Sequence, residues 1–382
     1  EEGAFYSAED ADSKGEEGLF YIWNAEEIDS IIKANIPSQD SELLRNILTI
    51  KEKGNCTVEG HRTNIPHFTS SWNEISKEYK INVDDLKKKY HKMRNNIFIT
   101  REKRVHPQKD DKILTDWNGL MISAISRAGA IFDNENYLKI AEKNADFILN
   151  NLSDDDGGLW KRHRNGVSGI DGMLEDYSFF IWGLIELYQA TFNEKYILEA
   201  VRLSDYQLKY FWDYDNGGFF FTSNKSEKLL IRNKEIYDGA IPSGNSVSAY
   251  NYIRLGRIMS RPDYEKISFE IIEAFSSSIK RYSSGYTMLL HAIDFIEGPS
   301  YEVIVAGSKN KSEKLLNYLY SNAQLNKVLI FREDGMKLKK EFKFLEHYIS
   351  DEKKEPLVYV CKNYACNLPT SDIQVIENQL KK

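Results

Sequence analysis

Apolar residues at Trp117, Leu120, Met121, Ala124, Ile125, Ala128, Ile131 and Phe132 follow the i, i+3, i+4, i+7 spacing of an amphipathic helix over four turns. A second, more polar helical pattern follows from Asn134 to Leu152, and the pair is closed by an acidic turn and Gly157-Gly158-Leu159-Trp160. The unit then recurs. Met173–Thr191 and Asn193–Phe211 form a second pair, closed by Asp213-Tyr214-Asp215 and Gly217-Gly218-Phe219-Phe220. Ser243–Met259 and Asp263–Arg281 form a third, ending at Ser284-Gly285-Tyr286. In the second pair, Tyr177 to Ile185 is apolar nearly all round, which a helix tolerates only when it is packed on most sides.

A repeated unit of two helices cannot bury its apolar face alone, so neighbours must stack. Alternation of a strongly apolar helix with a more polar one separates an inner ring from an outer ring. The expected fold is therefore mainly α, an α/α toroid spanning residues 1–299. Gly3-Ala4-Phe5-Tyr6 reads as one more hairpin arm with Gly18–Trp23 as its return strand, Ala25–Ala34 and Val83–Thr100 read as helices, and the stretch between them as polar loops. From residue 300 the pattern changes. Tyr301–Ala306, Lys327–Phe331 and Leu357–Cys361 are short β-branched runs separated by helical stretches near 312–323, 341–349 and 371–381. That alternation predicts a small parallel α/β appendage over 300–382.

Composition narrows the function. The 382 residues carry 51 basic and 58 acidic side chains, a net charge of −7, so there is no basic excess to neutralise nucleic-acid phosphates. No uncharged apolar run is long enough to span a membrane. Three cysteines cannot build a secreted-type disulfide framework, which points to the cytosol. No phosphate-binding glycine motif occurs and the seven histidines show no zinc spacing, so neither cofactor nor metal is expected. The chain opens on Glu rather than Met, and is expected to lack its true start.

Aligning the repeats places Asp116-Trp117-Asn118, Glu175-Asp176-Tyr177 and Ser243-Gly244-Asn245 at equivalent entrances to the inner helices. Carboxylates from separate helices meeting over aromatic residues suit glycoside chemistry, with one acid, one base and ring faces for sugar C–H surfaces. Asp116, Asp176 and Asp238 are the candidate catalytic carboxylates. His291, between Leu290 and Ala292, is either a satisfied core histidine or a general base facing the funnel. Trp117, Asn118, Glu175, Tyr177 and Asn245 are candidate substrate-binding residues, and Arg104 is a candidate anion clamp. Asp10 and Asp12 form a short acidic loop that could contact a ligand but lacks the Gly and terminal Glu of a calcium loop. For each carboxylate the alternative is a helix cap. Cys361 and Cys366 have four intervening residues, not the two of a redox motif, and read as structural.

Gly3–Ser13, Glu17–Trp23, Asp110–Ile122, Glu175-Asp176-Tyr177, Asp238–Ser246 and the Cys361/Cys366/Pro369 ending resemble the signature segments of the YyaL family, also called spermatogenesis-associated protein 20-like. The resemblance implies a six-hairpin glycosidase-type toroid, similar to those of sugar epimerases and unsaturated glucuronyl hydrolases. It also implies a preceding thioredoxin-like domain and first toroid helices, absent from this chain and supplied in cis or by a second chain. A toroid that is incomplete in this chain follows. The expected function is a carbohydrate-active domain, hydrolase-like or epimerase-like, with a sugar-like ligand. The competing expectation is a non-catalytic scaffold that serves the thioredoxin-like redox domain.

Overall fold

The computed structural model describes residues 3–35, 37, 40–321, 326–351 and 353–381. They form two compact units, one of residues Ala8–Asp111 and one of Glu1–Ser7 with Lys112–Lys382. The compact division therefore falls at other positions than the boundary expected between 299 and 300.

In the Ala8–Asp111 unit, short strands β1 (Ala8–Glu9), β2 (Asp12–Ser13) and β3 (Glu16–Glu17) precede helices α1 (Ala25–Asn35) and α2 (Ser41–Ile47). Strands β4 (Cys56–Val58) and β5 (His61–Thr63), helices α3 (Trp72–Tyr79) and α4 (Val83–Arg101) and strand β6 (Lys109–Asp110) complete it. Trp23, Ile28, Ile32, Leu44, Leu86 and Met93 give this unit its own core. The stretch expected to hold polar loops thus contains two helices and a hairpin, which individually are too short to show a clear period. The expected pairing of Gly3–Tyr6 with Gly18–Trp23 is also corrected. Phe5 is bound by the side chain of Asn118, and Trp23 bridges to Asn64.

The larger unit begins with β7 (Ile113–Leu114), which pairs with the hairpin β8 (Trp160–Arg164) and β9 (Val167–Asp171). Its helices come in the predicted pairs: α5 (Thr115–Ile131) with α6 (Glu135–Asn151), α7 (Leu174–Thr191) with α8 (Glu194–Phe211), and α9 (Gly244–Met259) with α10 (Pro262–Arg281). Helix α11 (Thr287–Glu297) follows. α5, α7, α9 and α11 pack side by side as an inner layer, with α6, α8 and α10 outside. The described residues therefore form an incomplete α/α toroid. Burial explains the alternation: α7 and α9 are buried on nearly every face, while α6, α8 and α10 each bury one stripe.

Two glycines set the α5–α7 spacing. A Cβ on Gly119 would lie 2.5 Å from the backbone of Phe179 and Phe180, and one on Gly183 would lie 2.7 Å from the carbonyl oxygen of Gly119. Outer helices start on capping residues, Asn134 on Asn136 and Tyr137 and Asn193 on Lys195. The acidic turns are local too: Asp154 Oδ1 accepts from the N–H of Asp156 and Gly158, and Asp213 Oδ1 from Asp215 and Asn216. The third repeat ends differently, in a 3₁₀ turn over Ser283–Gly285.

The C-terminal layer holds β10 (Tyr301–Gly307), α12 (Lys309–Ser321), β11 (Lys327–Glu333), β12 (Leu357–Lys362), β13 (Ala365–Cys366) and α13 (Ile373–Leu380). Positions 322 and 323 of the expected helix lie outside the described residues. The sheet order is β11-β10-β12-β13, with β10 parallel to β11 but antiparallel to β12. The expected all-parallel layer is thus mixed, because only a 3₁₀ segment (Lys340–His347) joins β11 to β12, and a parallel return needs a crossover helix. β10 is buried on both faces: Ile304 joins the toroid core, while Val303 and Val305 pack with Leu315 and Ile376. Arg257 of α9, 2.8 Å from the buried Glu302, ties the sheet to the inner layer. Cys361 and Cys366 face each other across the β12–β13 hairpin as a disulfide.

Candidate functional site

The inner helices α5, α7 and α9 start at one end of the ring, and the sequence alignment of their entrances is correct in three dimensions. Asn118, Tyr177 and Asn245 occupy equivalent positions and do equivalent work. Asn118 Oδ1 accepts from Phe5 N–H at 2.8 Å and its Nδ2 donates to Phe5 C=O at 3.0 Å. Asn245 holds Phe219 in the same way, at 2.7 and 2.9 Å. The Tyr177 hydroxyl accepts from Leu159 N–H at 2.8 Å. Each anchors the third residue of a Gly-aromatic segment to the start of an inner helix. All three are buried, so their expected part in binding a ligand is corrected to anchoring the fold.

The carboxylates are spent in a similar way. Asp176 is 0% exposed; Oδ1 accepts from Asp116 N–H at 3.2 Å and Oδ2 from Met173 N–H at 2.8 Å. Asp116 Oδ1 accepts from Trp117 N–H, and Lys161 Nζ lies 3.1 Å from Asp116 Oδ2 and 3.7 Å from Asp176 Oδ2. Burial pulls the Lys161 ammonium down, but the Asp176 and Asp116 charges outweigh it and hold the proton on. Burial, helped by the Asp116 charge, pushes the Asp176 carboxyl up to about 8. Asp238 is a double cap, accepting from Ser243 N–H through Oδ1 and from Met288 and Leu289 N–H at the start of α11 through Oδ2. The capping alternative therefore describes these three aspartates, and none presents a free oxygen to the ring mouth.

Other expected residues also move. His291 is exposed on α11, with its ring centroid 6.5 Å from that of Tyr250, and is not a core histidine. Arg104 lies in the Ala8–Asp111 unit, where Nη1 donates to the carbonyls of Phe20 and Ile22, Nη2 pairs with Glu27 at 2.7 Å, and the guanidinium stacks 3.8 Å from the Trp23 ring centre. That geometry corrects the anion-clamp expectation. Asp10 and Asp12, exposed in the same unit, share a local turn in which Asp10 Oδ1 accepts from Asp12 N–H. No cluster of metal-ligating side chains occurs among the described residues.

What remains at the mouth is Glu175 with Trp117. Glu175 is half-buried, and among the described residues its carboxylate accepts no hydrogen bond from a side chain or backbone group. Burial first, then the charges of Asp116 and Glu235, push its carboxyl up, against the pull of Lys161. Its side chain lies beside the start of α9, 3.4 Å from where a Gly244 Cβ would stand. Glu235 is held there through its carbonyl, which accepts from Asn245 Nδ2 at 2.8 Å. Trp117 presents a 45% exposed indole. The sequence reading did not pick out Lys161 or Glu235. Lys161 is adjacent to the Gly-aromatic segment, a recurring position that marks it; Glu235 sits in an irregular loop with no periodic signal.

Fold and site together define a protein of α/α hairpins with an acidic, aromatic-edged ring mouth and a mixed sheet packed on it. Over 97% of its length it is similar to spermatogenesis-associated protein 20, at 29% identity over 401 residues to the proteins of Rattus norvegicus and Homo sapiens, in agreement with the family its motifs resemble. The chain spans about half the length of these relatives, 51% of each. No family model matches the chain. Among solved structures it is similar to a family 76 α-mannanase of Bacteroides thetaiotaomicron, at 13% identity over 62% of this chain and 68% of that one, with a TM-score of 0.42. No helix among the described residues is long and apolar enough to cross a membrane.

Proposed function

We propose that the ring mouth is a carbohydrate-active site in which Glu175 is the proton donor and Glu235 the base. The observation that carries this reading is the Glu175 carboxyl: half-buried, raised by burial and neighbouring charge, and not engaged by the hydrogen bonds that consume Asp116, Asp176 and Asp238. A carboxyl that holds its proton more tightly than an ordinary glutamate suits protonation of a glycosidic or ring oxygen, and an exposed carboxylate beside it supplies the base. The Trp117 indole offers a face for sugar C–H groups. Hydrolysis and epimerisation both use such a pair, and incorporation of labelled water separates them. The reading needs no cofactor, and we place the protein in the cytosol. The test is turnover of an oligosaccharide panel by the full-length protein, with Glu175→Gln and Glu235→Gln beside it. Loss of roughly 100-fold or more in Glu175→Gln is expected; no reaction with any glycan, or an unchanged rate in that variant, overturns the reading.

One observation favours the second reading, a non-catalytic scaffold: three carboxylates from the ring entrances are engaged in holding the fold. In that reading the ring serves a thioredoxin-like domain, in cis or on a second chain. Saturable binding of that domain without glycan turnover is its expected signature.

A further inference from the structure

At the far end of the inner helices from Asp116, the C-terminal parts of α5, α7 and α9 close with α12 and β11 around a cavity of about 230 Å³. Three cations line it, Arg127, Arg254 and Lys327, against a single carboxylate, Glu186. That carboxylate is already committed: Glu186 lies 2.8 Å from Arg254 Nη1 and accepts from the Trp182 indole N–H at 3.0 Å. Arg254 is only 3% exposed, stacks 4.8 Å from the Tyr250 ring centre, and keeps an Nε without a hydrogen-bond partner among the described residues. Arg127 and Lys327 thus bring two positive charges to one half-enclosed space whose own carboxylate is spent on Arg254. They repel each other: burial first, and then the Arg127 charge, pull the Lys327 ammonium down to about 8. A fold does not gain stability by drawing two cations together out of water. Such an arrangement suits an anion that arrives with the ligand.

We propose that this cavity binds a phosphate monoester, with the phosphate between Arg127, Lys327 and the Arg254 Nε edge and the organic part against Leu319 and Leu329. The charge chooses the class. Three cations less one carboxylate leave a charge of +2, and a phosphate monoester carries about −1.5 to −2 at neutral pH, whereas a monocarboxylate leaves one cation uncompensated. Guanidinium groups also match phosphate oxygens in geometry. This site is independent of the ring mouth and of any glycan chemistry there.

Calorimetric titration of the chain with phenyl phosphate, inorganic phosphate and benzoate tests the proposal. Saturable binding of phenyl phosphate at one per chain is expected, at least tenfold tighter than benzoate and tighter than inorganic phosphate. Arg127→Gln and Lys327→Met should each weaken it by tenfold or more, while Lys327→Arg should retain it within about threefold, with thermal melts confirming that each variant is folded. Between pH 7 and pH 9 affinity should fall as Lys327 loses its proton, since the ligand is already dianionic there. The charged and titratable groups around Lys327 are Arg127 on α5, Glu186 on α7, Arg254 and Tyr250 on α9 and Tyr320 on α12. Absence of saturable binding, equal affinity for benzoate, or undiminished binding in both Arg127→Gln and Lys327→Met overturns it.

Discussion

The side-chain amide of Asn245 grips the backbone of Phe219 from both sides, accepting its N–H at 2.7 Å and donating to its C=O at 2.9 Å. Nδ2 donates also to Glu235 C=O at 2.8 Å, so one buried amide joins the start of α9, a Gly-aromatic segment and the Glu235 loop. In Asn245→Asp a carboxylate oxygen would face two carbonyls that had a donor. We expect a loss of about 3 kcal/mol, read from the urea midpoint. Asn118→Asp, whose partner Phe5 is only half-buried, should cost less. If both variants melt like the wild type, the anchoring role of this repeated position is wrong.

The α5–α7 contact makes a sharper test of backbone packing. Gly183→Ala places a methyl 2.7 Å from the Gly119 carbonyl, which cannot move without shifting a helix. A cost of about 3 kcal/mol is expected. Gly129→Ala meets chiefly the side chain of Leu138, which can rotate, and gains about 1 kcal/mol of helix propensity. Thermal melts should therefore rank Gly183→Ala well below Gly129→Ala; the reverse order would refute the close approach of α5 and α7.

Asp176 makes stability depend on pH in a defined direction. Its folded carboxyl is raised to about 8 from an ordinary value of 3.8. Between those values the unfolded chain has released this proton and the folded chain still holds it. The group's contribution is therefore largest below about pH 4 and declines as pH rises toward 8. Urea unfolding across that range should show this decline in the wild type and its absence in Asp176→Asn. Parallel profiles for the two proteins would contradict a protonated Asp176.

Arg104 tests the Ala8–Asp111 unit. Truncation in Arg104→Ala removes the donors to Phe20 and Ile22 C=O, the Glu27 ion pair and the stack on Trp23. A loss of about 3 kcal/mol is expected from the orphaned carbonyls and lost packing, measured by hydrogen exchange within residues 8–111. Unchanged exchange would show that Arg104 does not hold this unit together.

The sequence by itself determined the hairpin repeat, the boundaries of α5 to α10 and the equivalence of Asn118, Tyr177 and Asn245, because helical period and turn residues are local and each recurs at a fixed spacing. It also showed that α7 is an inner helix, since its Tyr177–Ile185 stretch is apolar on nearly all sides. What the aspartates do was decided only by the tertiary structure. A carboxylate that caps a helix and one that protonates a sugar have the same residue type at the same helix entrance, and only the N–H groups of Met173, Asp116 and Met288 distinguish them. The antiparallel return of β12 and the pairing of Arg257 with Glu302 lay beyond the sequence for a related reason. Arg257 and Glu302 stand 45 residues apart on elements of different type, and no period in the chain records that folding brings their charges together.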